Sequence, residues 1–140
     1  MDSDVIVWVP AHAGSVHLLR TVAASAGARL ELSIDDIEDV RLAVTEAASQ
    51  LLTERPSSRR IRMCLADEGR AMRVTVTLEG GDPDTAPDGP AVRERAEGSL
   101  AWQVLLALGD DVRFVGEGGE IGVTFTKARN AGAGGVGGAR

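Results

Sequence analysis

A single cysteine, Cys64, is the whole thiol inventory of this 140-residue chain, so no internal disulfide can form. Only two histidines accompany it, and no Cys/His cluster has metal-ligand spacing. Net positive charge is missing as well. Fifteen basic residues against 21 acidic ones leave −6 at pH 7, which argues against a protein that tracks nucleic-acid phosphates. That balance favours a basic protein partner or a small ligand. No apolar run approaches the length of a membrane span. The opening "MDSDVIVWVP" lacks a positively charged region and has too short an apolar stretch for a signal peptide, so the expectation is a cytoplasmic protein. There is no internal repeat.

What remains is the composition of one soluble globular domain, 44% hydrophobic and 26% charged, long enough to bury its own core. "DVIVWVP" reads as a first strand, stopped by Pro10. "GSVHLLRTVAASAGARL" carries Val16, Leu19, Val22, Ala23 and Ala26 at helical spacing, with Gly27 as its expected C-terminal cap. Ser33 followed by Asp36 resembles a capping box with Asp in place of Glu, and it opens a second helix that Pro56 must end. "RRIRMCLA" and "RAMRVTVTL" then alternate as strands around a hairpin at Gly69, with Cys64 expected as a small buried thiol.

The stretch 79–97 is rich in Gly, Pro, Asp and Glu and reads as a lid-like loop. "SLAWQVLLAL" is a third helix, capped by Ser99 and closed at Gly109, with Trp102 expected in the core. "DVRFV" and "EIGVTFTK" finish the sheet through a hairpin at "GEGG". The expected architecture is an α+β two-layer sandwich, a mostly antiparallel mixed sheet covered on one face by three helices. It spans residues 1–128, and 129–140 form a Gly-rich flexible tail.

The second helix poses the functional question. At about 100° per residue, Ile37, Val40, Arg41, Val44, Ala48 and Leu51 fall on one side, an apolar stripe broken only by Arg41. Glu46 and Gln50 lie opposite, one turn apart, flanked by Ala43 and Ala47, which are small enough to admit a flat ligand. Such a pair is either the solvated side of a surface helix or a carboxylate and amide placed to hold a cation or orient a hydroxyl. Spacing alone leaves both open.

"DDIEDVRLAVTEAASQLL", followed by "GSLAWQVLLALGDDVRF" and "GGEIGVTFTK", resembles the RsbW-like anti-sigma factors and serine kinases of the GHKL ATPases, with wording like the actinobacterial branch. The resemblance runs from the first strand to "GVTFTK". It implies a Bergerat-type fold and a general base at Glu46, acting on a substrate serine as ATP is attacked. Gln50 takes the place of an Asn that helps hold Mg²⁺, and the extra methylene moves its oxygen. An Asp-x-Gly-x-Gly that reads adenine corresponds to "VTLEGGDPD", where Leu78, Gly80 and Asp82 stand in register. A slip by one offers Glu79 as the acid and Gly81 as the first glycine, but Pro83 then replaces the second. The phosphate-wrapping glycines reduce to Gly98 and Ser99, beside Glu94 and Glu97.

Three altered contacts together imply a degenerate nucleotide pocket, with ATP and Mg²⁺ binding weakened. The activity implied is then sequestration of an alternative, stress-response sigma factor, relieved by a STAS-type anti-anti-sigma protein. Arg20 matches a first-helix Arg used against both partners. A homodimer is also implied, without direct nucleic-acid or membrane contact. The alternatives are an active serine kinase of the STAS partner and a sensor of another small ligand, with 79–97 as its lid. His12 and His17 have no partner evident in the sequence.

Overall fold

Alternating apolar residues build the sheet, and one-sided apolar stripes build the helices that cover it. The computed structural model describes residues 5–54, 59–81, 88–117 and 119–129. In chain order these form β1 (Val5–Pro10), α1 (Val16–Arg29), α2 (Ile34–Leu52), β2 (Arg59–Asp67) and β3 (Ala71–Gly80), then α3 (Gly89–Glu97), α4 (Leu100–Leu108), β4 (Asp110–Glu117) and β5 (Glu120–Ala128). A short 3-10 turn, Ala13–Ser15, leads into α1.

The strands lie in the order β1-β2-β3-β5-β4, and every neighbouring pair is antiparallel. No parallel pair occurs among the described residues, so the sheet is antiparallel, not mixed. Its period of two sends Val9, Ile61, Met63, Val74, Val76, Leu78, Val123 and Phe125 to one face. Leu19 and Ala23 of α1, Val40 and Val44 of α2, Val92 of α3 and Trp102 and Leu105 of α4 meet them in one core. The two-layer α+β sandwich is therefore present, with four helices on that face where three were expected.

The additional helix, α3, occupies 89–97 of the stretch read as a loop. Pro90 suits a first helical turn, because its missing N–H needs no partner there. Val92 and Ala96, four apart, bury one side. Two apolar residues in a charged, Pro- and Gly-bearing stretch give little periodic signal, which is why the helix is hard to read in advance. The stretch 82–87 between β3 and α3 lies outside the described residues, as do Pro56 and residues 130–140 of the tail.

Local signals set most boundaries. Ser33 Oγ accepts from the Asp36 N–H at 3.0 Å, and Asp35 and Asp36 sit where the helix dipole favours negative charge. Gly69 takes φ +84° in the β2–β3 turn. Gly27 differs from expectation: α1 runs past it to Arg29, and Glu31 adopts the left-handed conformation instead, at φ 63°. A side chain at 27 would press on Leu32 and Ile37, each 3.3 Å from the position of a Cβ. That glycine lets the α1–α2 connection pack closely, and it does not terminate the helix. Cys64 is half-buried, on the helix-free face opposite Ile6 and Thr75.

Candidate functional site

α2 lies between α1 and α4 and over β3 and β5. Ala43 and Ala47 are fully covered, so the flanks that looked open to a flat ligand are taken up by packing. Glu46 and Gln50 remain half-buried on the outer side, one turn apart. Among the described residues, neither the Glu46 carboxylate nor the Gln50 amide has a side-chain hydrogen bond or ion pair; only the Gln50 carbonyl is engaged, by Thr53 Oγ1 at 2.7 Å. No group of three or more His, Cys, Asp or Glu side chains among the described residues is placed to hold a metal ion.

The end of β3 decides which residue faces the helices. Leu78 is fully buried on the core side, paired with Ile61 and Ile121 across the strands. Glu79 therefore faces the opposite, helix-free side. There it accepts from Trp8 Nε1 at 3.0 Å and Arg60 Nε at 2.9 Å, and pairs with Arg62 at 3.0 Å. Its carboxylate is buried yet satisfied, and the reading in which Glu79 slips into the place of Leu78 is excluded by the register. Gly80 and Gly81 follow with φ +83° and +85°. The buried Arg59 guanidinium donates to the Gly80 carbonyl at 2.8 Å, and its Cζ lies 3.1 Å from where a Cβ on Gly81 would sit. Asp82 lies outside the described residues.

Gly98 and Ser99 form the junction between α3 and α4. The Gly98 N–H donates to the Glu94 carbonyl at 3.2 Å, closing α3. Ser99 Oγ accepts from the Trp102 N–H at 3.1 Å, which is N-cap geometry. Trp102 itself is in the core. Nearby, Arg95 donates to Glu54 at 2.7 Å and ties α3 to the chain just after α2. The Gln50 end of α2 and the α3–α4 junction are thus on the same side of the molecule.

Arg20 occupies a different place, in the groove between α1 and α2. Its NH2 meets His17 Nδ1 at 3.1 Å, while its Nε is buried with no hydrogen-bond partner. A pocket of about 370 Å³ opens there, lined by Arg20, Glu38, Asp39, Arg41, Leu42 and Thr45. Glu38 is drawn 3.7 Å from Arg41, and Asp39 accepts from Lys127 at 2.9 Å, so both carboxylates are already engaged. Neither Glu46 nor Gln50 lines this pocket. Arg41, Leu42 and Thr45 were not singled out from the sequence as site residues. The signal was Arg41 itself, which breaks an otherwise apolar stripe and lines the pocket beside Arg20. His12 accepts from the Gly14 N–H at 3.0 Å and caps the 3-10 turn.

Comparison with known proteins agrees with this fold. Residues 9–127 match the histidine kinase-like ATPase domain family. Anti-sigma-F factor RsbW from two strains of Mycobacterium tuberculosis is 28% identical over 130 residues, covering 88% of this chain and 72% of that protein. The crystal structure of the RsbU and RsbW domains of Rv1364c from Mycobacterium tuberculosis superposes with a TM-score of 0.58 at 16% identity. That match covers 89% of this chain, which spans about a third (32%) of the larger one, and it speaks for the fold. This chain belongs to the histidine kinase-like ATPase domain family and is an RsbW-like member of it.

Proposed function

We propose that this chain is an anti-sigma factor that sequesters an alternative sigma factor, yields it to a STAS-type anti-anti-sigma protein, and assembles as a homodimer. The similarity to anti-sigma-F factor RsbW supports the class. Leu78 carries the choice of binding over catalysis. An adenine read from the end of β3 needs a hydrogen-bond acceptor on the helix side, and that position holds a fully buried leucine. An unpaired polar edge against it costs about 1–3 kcal/mol. Among the described residues, the carboxylate beside it on β3, Glu79, is turned to the other face and held by Trp8, Arg60 and Arg62. Gln50, with its longer side chain, is a poor fit to the strict octahedral geometry of Mg²⁺. Ser99 is occupied in capping α4, and exposed Glu94 and Glu97 flank the junction where phosphate would approach. Among the described residues, this set is a poor fit to Mg-ATP.

Arg20 is the residue proposed to meet the partners. Its guanidinium lines an open groove, where a partner carboxylate meeting its terminal nitrogens would form a charge-assisted pair.

One observation favours the serine-kinase alternative. The Glu46 carboxylate is half-buried and, among the described residues, bonded to nothing, as a general base awaiting a hydroxyl would be. Calorimetry separates the two. Under the anti-sigma reading, Mg-ATP at millimolar concentration gives no binding heat, and a Gln50→Asn change does not restore it. A cognate sigma factor binds all the same, and Arg20→Ala weakens it at least tenfold. Clear Mg-ATP binding, with phosphate transfer to a STAS protein abolished by Glu46→Ala, overturns that reading.

A further inference from the structure

Arg20 stands among carboxylates and pairs with none of them. The groove it lines also holds Glu38, Asp39 and Arg41 of α2. Glu38 lies 3.7 Å from Arg41, and Asp39 is held at 2.9 Å by Lys127, which also donates to the Leu108 carbonyl. Among the described residues, the one polar partner of the Arg20 side chain is His17, a turn earlier on α1, with Nη2 3.1 Å from Nδ1. A guanidinium can only donate, so Nδ1 must accept. The ring is therefore neutral and carries its proton on Nε2.

We propose that His17 is a positioning residue for Arg20: it orients the guanidinium in the groove without neutralising it, and leaves the whole charge for an acidic group of the partner. A long, flexible arginine loses rotamer freedom when it binds, and a contact made beforehand removes part of that cost. A carboxylate at the same place would hold the arginine more firmly. It would also cancel its charge in an internal pair, which the partner's acid would have to displace. A neutral imidazole accepts one hydrogen bond and cancels nothing.

The surroundings suit that role. His17 is exposed, so its ring adds little to the core and can be exchanged without loss of packing. Thr21 Oγ1 donates to the His17 carbonyl at 3.0 Å, a backbone contact that any residue at 17 keeps. Arg20 Nε is covered and has no hydrogen-bond partner, so the contact with His17 is what fixes the guanidinium. The acids of α2 that could compete for it are turned to Arg41 and Lys127. This role rests on the reading of Arg20 as the residue that meets the partners.

Nitrogen NMR of the full chain at neutral pH reads the contact without any partner. The expected spectrum shows the His17 ring protonated at Nε2, with an Nδ1 resonance that moves in Arg20→Met. A ring protonated at Nδ1, or an Nδ1 resonance indifferent to Arg20→Met, overturns the inference. Affinity for the cognate sigma factor then reads the role, with thermal unfolding expected unchanged in every variant at 17. Asn carries an amide oxygen where imidazole carries Nδ1, so His17→Asn should bind within about twofold of the wild type, whereas His17→Ala should bind about fivefold more weakly. His17→Glu, which holds the arginine but cancels its charge, should weaken binding about tenfold. If Arg20→Ala weakens binding while the three variants at 17 match the wild type, or Asn is no better than Ala, the inference falls and the reading of Arg20 stands. If Arg20→Ala leaves binding unchanged, that reading falls and the role of His17 falls with it.

Discussion

Leu78 and Glu79 are consecutive residues of β3 that serve opposite sides of the sheet. The leucine is fully buried beneath the helices, and the glutamate is held on the other face by Trp8, Arg60 and Arg62. One step along a strand reverses the face, so a carboxylate one residue away from a pocket is as remote from it as the thickness of the sheet allows.

Leu78→Asp is expected to destabilise the fold by about 3 kcal/mol or more, because it buries a carboxylate with no cation built to meet it. Urea denaturation measures the loss. A variant that stays stable and gains Mg-ATP binding would mean that only the acid is missing from an otherwise intact pocket.

Glu79→Gln keeps the shape and the hydrogen bond from Trp8 but removes the charge shared by Arg60 and Arg62. Arg60 is largely exposed and Arg62 keeps Glu120 at 3.4 Å, so the expected cost is about 1–2 kcal/mol. Thermal unfolding reads it, with binding of any sigma partner through Arg20 unchanged.

Gly122 sits on β5 opposite Thr77, where an added Cβ would lie 2.5 Å from the Val76 carbonyl oxygen and 3.1 Å from Thr77 Cα. Both are backbone atoms of the adjoining strand, so the strands themselves must part. Gly122→Ala is expected to cost about 2 kcal/mol, and loss of amide protection along β3 and β5 in hydrogen exchange would locate the damage.

Asp111 accepts from Arg73 at 2.9 Å, and this hydrogen bond, with the charge of Arg113 close by, lowers its carboxyl below the ordinary 3.8. A carboxyl depressed in the folded state stabilises at pH values above its ordinary range, and that contribution is lost as pH falls through the folded value. The group is open to water, so the effect on stability is small. Carbon-detected titration should show Asp111 ionising below its ordinary range, and Arg73→Gln should move it back up; no change in that variant would assign the shift to Arg113 alone.

Much of the fold was legible because its signals are local. Ser33 and Ser99 cap the helices that follow them, and Gly69 turns the hairpin. Where a residue's role depends on what packs against it, local reading failed. Gly27 looked like a helix end and is a close contact with Leu32 and Ile37. The charged stretch ahead of Gly98 looked like a loop and is a helix seated by Val92 and Ala96. Of the site residues, Arg20 was found by resemblance, whereas Arg41, Leu42 and Thr45 share its groove only because α1 and α2 lie side by side.

Apart from α3, the order of elements, the alternation of the strands and the apolar stripes of the helices were set by the chain alone, since each follows from the period of one element. The tertiary structure decided what lies against each face. Ala43 and Ala47 became buried, Leu78 closed the helix side of β3, and Trp8 met Glu79 from 71 residues away. Periodicity tells which side chains share a face, but the neighbour that covers them comes from another part of the chain, and only packing brings it there.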